Sequence, residues 1–291
     1  DPNASAQSIP ITNADDLLQV SPYDTAIGLT QSTPADPGSP NKYYQSLSSY
    51  GRTFGRVVPG DNNQAKAQLQ LMQSLGVKKL YVAEDGKAYG DEIALAVKED
   101  ASKYGISATG PERSSAGLAQ SGADAVFYGG VAGPAAVQLL NGAVTADSHL
   151  KLFGPSGLYS SSFASQLSSA AQRDSYLSEP GLTTAELPPS GKAFLTAFKT
   201  AYHHVPWTQA IFGYAAMQVV LHTLRAAGVN ADNRAANLDS FLGAKNLSTA
   251  VGTLSINKTT GDPTFASGAP YIVSRVKGGK LVASKSLVVK P

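Results

Sequence analysis

The sequence has no cysteine, which excludes disulfide bonds, a thiolate nucleophile and a zinc site built on thiolates. It also lacks an excess of one charge, because its net charge of +2 comes from interspersed acidic and basic residues without a long basic run. Nucleic-acid binders and membrane-surface proteins carry such runs, so neither class is favoured. No stretch reaches the roughly eighteen apolar residues of a membrane-spanning helix. The first residues lack the features of a signal peptide, so we expect that any signal sequence was removed or never present.

Motifs for catalysis and metal binding are incomplete. Residues 154–158 spell Gly-Pro-Ser-Gly-Leu, which lacks the last glycine of the G-x-S-x-G hydrolase motif. Ser-x-x-Lys begins at Ser255 and at Ser274, but both lie in predicted strands without companion motifs. None of the four histidines has a second ligand at metal spacing. Asp91 and Glu92 could act as paired carboxylates, although acids in the first turn of a predicted helix also stabilise its dipole. We therefore expect neither an enzyme nor a cofactor or metal site.

The middle of the chain predicts a parallel sheet covered by helices, because strand and helix patterns alternate from about residue 61 to residue 182. A length of 291 residues with 42% apolar residues is enough for two domains. The predicted strands are residues 80–83, 125–128, 151–153 and 176–177. Apolar residues at helical spacing predict three helices, whose faces carry Leu69, Met72 and Leu75, then Ile93, Val97, Ala101 and Tyr104, then Phe163, Leu167 and Ala171.

The two flanks of this region differ from it. Before it, residues 5–13 predict a helix and 17–20 a strand, too little for a sheet domain buried on both faces. Residues 31–50, rich in proline and serine, predict a surface loop without core residues. After it, the patterns predict helices at 191–202, 210–227 and 233–242 and strands at 251–256, 271–276 and 281–289. The second of these helices carries Tyr214, Met217, Leu221 and Leu224 on one stripe and ends at Gly228, and Gly278-Gly279 suits a tight hairpin.

Hydroxyl groups and glycines follow the predicted strands: Ser21, Tyr23, Thr25, Tyr89, Gly129, Gly130 and Ser156. The carboxyl ends of parallel strands are where such folds bind ligands. Hydroxyls can hydrogen-bond a small polar ligand, and glycines let the backbone approach it. The alternative is that these are ordinary turn residues. The loop at residues 84–90 carries no phosphate-binding glycine motif and no nucleophile, which indicates binding rather than reaction.

An ordered series of segments resembles the type I periplasmic binding proteins of the leucine/isoleucine/valine-binding family, the substrate receptors of ABC importers. The segments are residues 18–30, 52–64, 81–90, 124–130, 153–157, 214–217, 261–262 and 271–279, so the resemblance covers nearly the whole chain. It implies an α/β fold of two Rossmann-like lobes with parallel sheets, which close on a ligand between them by a hinge motion.

The resemblance also implies how the chain is divided. Residues 1–57 and 182–270 would form the first lobe, and residues 58–181 and 271–291 the second. Crossings are expected near residues 57–61, 180–184 and 269–271. Compared with the family, the first lobe lacks about three strand–helix units, on the order of eighty residues, so we expect it to be incomplete. Between residues 110 and 124, where the family has a full helix, this sequence predicts one or two turns.

Three residues of the first lobe match ligand contacts of the family. Tyr23, through its backbone carbonyl, and Thr25 match residues that hold the ammonium and carboxylate of an amino acid. Asn3 or its neighbours fall in the other contact loop of this lobe.

In the second lobe, Tyr89 matches a tyrosine that closes over the ligand. Val131 stands where amino-acid binders often have an aromatic residue, and Ser156 stands where they have an acid that pairs with the ammonium. Without that acid, a buried ammonium would be undercompensated by several kcal/mol. A less charged or aromatic ligand therefore competes with an amino acid.

The resemblance implies an extracytoplasmic solute-binding protein of an ABC importer. It would bind an amino acid or similar small polar or aromatic molecule and present it to a membrane permease, as a monomer without cofactor or nucleic acid. Its location would be periplasmic or extracytoplasmic, either unattached or held by a lipid anchor at a removed N-terminus. The alternative is a ligand-sensing regulatory or receptor domain of the same fold, not coupled to transport.

Overall fold

The structure is a computed structural model that describes residues 3–45, 47 and 51–290. Asp1 and Tyr50, which begin and end segments discussed above, lie outside the described residues. The chain forms two compact units. Unit 1 comprises residues 1–60, 181–270 and 290–291, and unit 2 comprises residues 61–180 and 271–289. The assignment of these units to the two lobes of the family stays a prediction.

The strands of the described residues are β1 (Gln19–Ser21), β2 (Phe54–Arg56), β3 (Lys79–Glu84), β4 (Ser107–Glu112), β5 (Ala125–Gly129), β6 (Lys151–Gly154), β7 (Ser175–Pro180), β8 (Leu247–Thr249), β9 (Gly252–Ile256), β10 (Pro263–Phe265), β11 (Ala269–Lys277) and β12 (Lys280–Val289). The α-helices are α1 (Ser5–Ala14), α2 (Asp61–Ser74), α3 (Ala88–Asp100), α4 (Leu118–Ser121), α5 (Pro134–Ala146), α6 (Ser161–Ala164), α7 (Ser169–Asp174), α8 (Pro189–Tyr202), α9 (Ala210–Ala227) and α10 (Arg234–Leu242). Within the described residues, no helix is both long and apolar enough to cross a membrane.

Unit 2 contains a seven-stranded sheet in the order β12-β11-β7-β6-β5-β3-β4. The five strands from β7 to β4 are parallel, and β11 is antiparallel to β7. Alternate residues of β5 point to opposite faces, because Ala125 and Phe127 belong to one apolar cluster and Val126 and Tyr128 to another. Helices α2 and α3 cover the first face, and α5, α6 and α7 cover the second. The sheet is therefore buried on both sides, as the sequence predicts.

Three parts of unit 2 differ from the sequence prediction. Strand β4 and helix α5 were not predicted. Helix α4, a single turn, lies between residues 110 and 124, where one or two turns were expected. The helix predicted through Phe163 and Ala171 is wrong, because two short helices occupy this segment. The hydroxyl of Ser168 accepts a hydrogen bond from the backbone N–H of Ala171 at 3.2 Å and starts a new helix there.

Unit 1 contains a parallel pair, β1 and β2, and an antiparallel sheet of β8, β9 and β10. Its first apolar cluster is formed by Ile9, Ala26, Leu29, Tyr44 and Phe54. The prediction of a loop without core residues is wrong at Tyr44, which is buried and donates its hydroxyl to the carbonyl of Leu29 at 3.1 Å. An aromatic ring therefore ties the proline-rich loop to the core.

Helix α9 spans the predicted residues and ends at Gly228, whose φ of +58° favours glycine. Its buried face is formed by Ile211, Phe212, Ala215, Ala216, Val219 and Thr223. The predicted stripe of Tyr214, Met217, Leu221 and Leu224 is exposed instead. This second apolar face is partly shielded, since the ring of Tyr214 stacks on Phe194 of α8 with centroids 4.8 Å apart.

Candidate functional site

Tyr89 and Ser156 meet at the carboxyl edge of the unit 2 sheet. Tyr89 lies in the first turn of α3, just after β3, and is only 4% exposed. Ser156 begins a 3-10 turn that follows β6 and is half-buried. The hydroxyl of Tyr89 lies 3.3 Å from Oγ of Ser156 and accepts a hydrogen bond from the N–H of Gly157 at 3.2 Å. The structure thus places two of the predicted site residues in contact.

Val131 belongs to the same edge, where it follows β5. Its backbone N–H donates to Oδ2 of Asp85 at 3.1 Å, and the next N–H, of Ala132, donates to the carbonyl of Gly157 at 2.8 Å. The loops after β3, β5 and β6 are thereby joined by hydrogen bonds from backbone N–H groups, one to a carboxylate and one to a carbonyl. We call this surface, formed by Tyr89, Val131 and Ser156, the unit 2 edge.

Close packing at the unit 2 edge requires glycine. A Cβ at Gly157 would lie 2.7 Å from a ring carbon of Tyr89, and a Cβ at Gly129 would lie 2.7 Å from the carbonyl oxygen of Gly90. Such approaches are shorter than van der Waals contact, so neither position accepts a side chain without movement. Gly129, which the sequence analysis noted after a strand, thus serves to pack the loops together, as does Gly157.

Behind Ser156 lies a buried hydrogen-bond network that the sequence analysis missed. The hydroxyl of Ser156 donates to Oε1 of Gln64 at 3.1 Å. Nε2 of Gln64 donates to the carbonyl of Ser178 at 2.9 Å and lies 3.0 Å from its Oγ. Gln68, one turn along α2, donates to the same Oγ at 2.7 Å. The available signal was two glutamines four residues apart on the apolar face of a helix, where polar side chains need buried partners.

A group of charged side chains lies beside this edge. Nε of Arg113 donates to Oε1 of Glu84 at 2.8 Å, and Asp91 hydrogen-bonds to Glu84. Burial, together with the neighbouring Glu84, raises the pKa of Asp91 to about 6. The pKa of Glu84 is lowered, because hydrogen bonds from Asp91, Arg113 and Gly86 outweigh the opposing effect of burial. Glu84 and Arg113 line a pocket of about 260 Å³, together with Asp85 and Tyr128.

In unit 1, Tyr23 and Thr25 follow β1 as the sequence predicts. Thr25 is 3% exposed, and its Oγ1 has no hydrogen-bond partner within the part of the chain that the structure describes. Tyr23 is partly exposed, and its N–H donates to Oγ of Ser21 at 3.2 Å. Asn3 is half-buried just before α1. The start of α1 is tied to this loop, because the N–H of Ser5 donates to Asp24 at 2.9 Å.

The loop that carries Thr25 is fixed by Arg56, the largest fully buried side chain. Its guanidinium donates to the carbonyls of Asp24 at 3.1 Å and Ala26 at 2.8 Å, and to Oγ1 of Thr30 at 2.8 Å. Its Nε forms an ion pair with Oδ1 of Asp262 at 2.7 Å. The position of Thr25 therefore depends on a charged residue of β2 and on a carboxylate more than two hundred residues away along the chain.

A family model described as periplasmic binding protein matches residues 44–280. The chain therefore belongs to the periplasmic binding protein family, as the resemblance indicated, and has the type I fold. Members of this family are solute-binding proteins rather than enzymes. No curated protein matches the chain.

Solved structures with the same fold are similar to this chain at low sequence identity. A leucine binding protein, LivK, from Thermotoga maritima has a TM-score of 0.73 and 19% identity, over 97% of this chain and 76% of that chain. An ABC transporter substrate-binding protein from Desulfitobacterium hafniense in complex with Leu has a TM-score of 0.71 and 16% identity, over 96% and 77%. An ABC transporter solute binding protein from R. palustris in complex with benzoate has a TM-score of 0.67 and 18% identity, over 97% and 75%.

Proposed function

We propose that this protein is an extracytoplasmic receptor for an amino acid or a similar small polar or aromatic solute, which it presents to the permease of an ABC importer. Family membership supports the solute-binding part of this proposal. Similar structures in complex with Leu, benzoate and 3,4-dihydroxy benzoic acid support the class of solute. The protein acts outside the cytoplasmic membrane, unattached or lipid-anchored, and binds its solute without chemical change.

The observation that carries the proposal is the convergence of Tyr89, Val131 and Ser156 at the unit 2 edge. Groups that follow three different strands are joined there by hydrogen bonds, through the side chains of Tyr89 and Ser156 and the backbone N–H of Val131. Open α/β sheets present ligand-binding groups at this edge. In unit 1, Oγ1 of Thr25, which has no hydrogen-bond partner among the described residues, is a second group suited to a solute. A buried hydroxyl without a partner costs stability, so a ligand that hydrogen-bonds to it is favoured.

Isothermal titration calorimetry with leucine, benzoate and 3,4-dihydroxybenzoate tests the proposal. Saturable binding of at least one solute is expected, and conversion of the bound solute into a product would contradict it. Thr25→Ala should weaken binding about fivefold to tenfold, since a lost hydrogen bond costs about 1 kcal/mol or somewhat more. Thr196→Ala is the matched control, because Thr196 is exposed on α8 and its hydroxyl donates to the carbonyl of Lys192 in the same helix at 3.1 Å. If the two variants bound the solute with equal affinity, Thr25 would not be a ligand-binding residue.

A further inference from the structure

The orientation of the Gln64 amide is determined by its surroundings. One end of the amide lies 2.9 Å from the backbone carbonyl oxygen of Ser178, which can only accept a hydrogen bond. The NH2 group must therefore face Ser178, and the amide oxygen must face Ser156. Gln64 is fully buried, so water does not compete for either end.

This orientation decides where the hydrogen of Ser156 goes. The oxygen of Gln64 accepts only, so the single hydroxyl hydrogen of Ser156 is donated to it at 3.1 Å. In the contact at 3.3 Å between Tyr89 and Ser156, Ser156 has no hydrogen left to donate, and Tyr89 is the donor. The hydrogen bonds thus run in one direction, from the N–H of Gly157 to Tyr89, then to Ser156, then to Gln64.

We infer that Gln64 is a positioning residue that makes Ser156 present an acceptor lone pair, and no donor hydrogen, to a solute. The inference rests on the proposed function, because it assumes that Ser156 contacts the solute. The group that approaches Ser156 is then a hydrogen-bond donor, such as an ammonium, an amide N–H or a hydroxyl. A carboxylate in this place would face lone pairs and lose affinity.

The neighbouring side chain of Asp85 also favours a solute group that donates hydrogen bonds. Asp85, whose carboxylate accepts the N–H groups of Lys87 and Val131 at 3.1 Å each, places a further acceptor-bearing group at the unit 2 edge. Solutes that carry an ammonium are therefore the chemical class this edge fits best. Ser156 lacks the charge of an acid. It can still favour solutes that carry an ammonium, because its hydroxyl hydrogen points to Gln64 and its oxygen is left to accept a hydrogen bond.

A ligand-independent measurement tests the direction of the hydrogen bonds. Gln64→Met removes the acceptor at nearly constant length and releases the hydrogen of Ser156. The infrared C–O stretching band of tyrosine should then shift in the unliganded protein, and the shift should vanish in a Tyr89→Phe background. Ser178→Ala is the matched control, because it perturbs the same network but keeps the carbonyl that orients Gln64. No shift in Gln64→Met, or an equal shift in Ser178→Ala, would overturn the inference.

A binding measurement tests the specificity. Leucine is compared with 4-methylpentanoate, which lacks only the amino group, and benzylamine with benzoate. The wild type and Ser178→Ala should favour the amine-bearing member of each pair, and Gln64→Met should reduce this preference about tenfold, the effect of one hydrogen bond to a charged group. An unchanged preference in Gln64→Met refutes the specificity role alone. Absence of binding by wild type to all four solutes counts against the proposed function and the specificity role, while the infrared result still decides the hydrogen-bond direction.

Discussion

Removal of the Asp262 carboxylate should destabilise unit 1 strongly. Asp262 is the only charged partner that the structure describes for Arg56, whose side chain has 0% exposure. Asp262→Ala leaves Nε of a buried guanidinium without its acceptor at 2.7 Å, and Thr30 and Gln31 lose the oxygen to which they donate at 3.1 and 2.8 Å. Breaking a buried ion pair from one side costs about 3–5 kcal/mol, because the remaining charge stays buried without its counter-charge.

Urea denaturation measures this loss. The unfolding is followed by far-UV circular dichroism, because Trp207, the one tryptophan of the sequence, is 87% exposed and its fluorescence would change little on unfolding. Asp239→Ala is the matched control, because it makes the same change at an exposed position of α10 in the same unit and should alter the free energy of unfolding by less than about 0.5 kcal/mol. A loss below about 1 kcal/mol for Asp262→Ala, at an unchanged m-value, would show that Arg56 does not depend on this carboxylate.

Three further predictions concern unit 2. Gly90→Ala should lower the free energy of unfolding by about 1–3 kcal/mol in urea denaturation, because its Cβ would lie 2.8 Å from the carbonyl oxygen of Gly129. Gly142→Ala is the control: Gly142 lies in open space within α5, so this change should raise the free energy of unfolding by about 0.5–1 kcal/mol. Equal effects of the two changes would contradict this packing. The pKa of Asp91 is raised from its ordinary 3.8 to about 6, so the folded state holds a proton that the unfolded state releases. The stability that this proton contributes is fully present below about pH 4 and is lost as the pH rises through about 6. Asp91→Asn should therefore reduce the loss of thermal stability between these pH values, measured in a series of thermal melts. A pH profile of stability identical to that of wild type would refute the raised pKa of Asp91. Ser156→Asp should favour solutes that carry an ammonium in calorimetry, and no gain for them would mean that Ser156 faces elsewhere.

Local patterns predicted the regular elements well. Helix α9 and the hairpin of β11 and β12 lie where apolar spacing and glycines place them, and Gly278 and Gly279 have φ of +56° and +72°. Strand β4 escaped prediction because Gly110 and Pro111 interrupt its pattern. Proline is tolerated there because β4 is the last strand of its sheet and needs hydrogen bonds on one side only.

The sequence could predict the residues at the surface of the candidate site but not the buried residues behind them. Tyr89, Val131 and Ser156 could be proposed because each follows a strand, and the carboxyl ends of parallel strands share one edge. Gln64 could not be proposed, because its role depends on the carbonyl of Ser178, a residue 114 positions away. Tyr44 was likewise assigned to a surface loop, although tertiary contacts bury it.

The sequence by itself determined most of the segments that form helices and strands, their order, and which residue types stand at the strand ends. These properties follow from the 3.6-residue and two-residue periods of the backbone, which act over a few residues. Tertiary structure alone decided that Arg56 pairs with Asp262, that Gln64 turns its oxygen toward Ser156, and which face of α9 is buried. Such pairings depend on the three-dimensional approach of distant segments, where burial makes each unpaired polar group costly and so selects one partner.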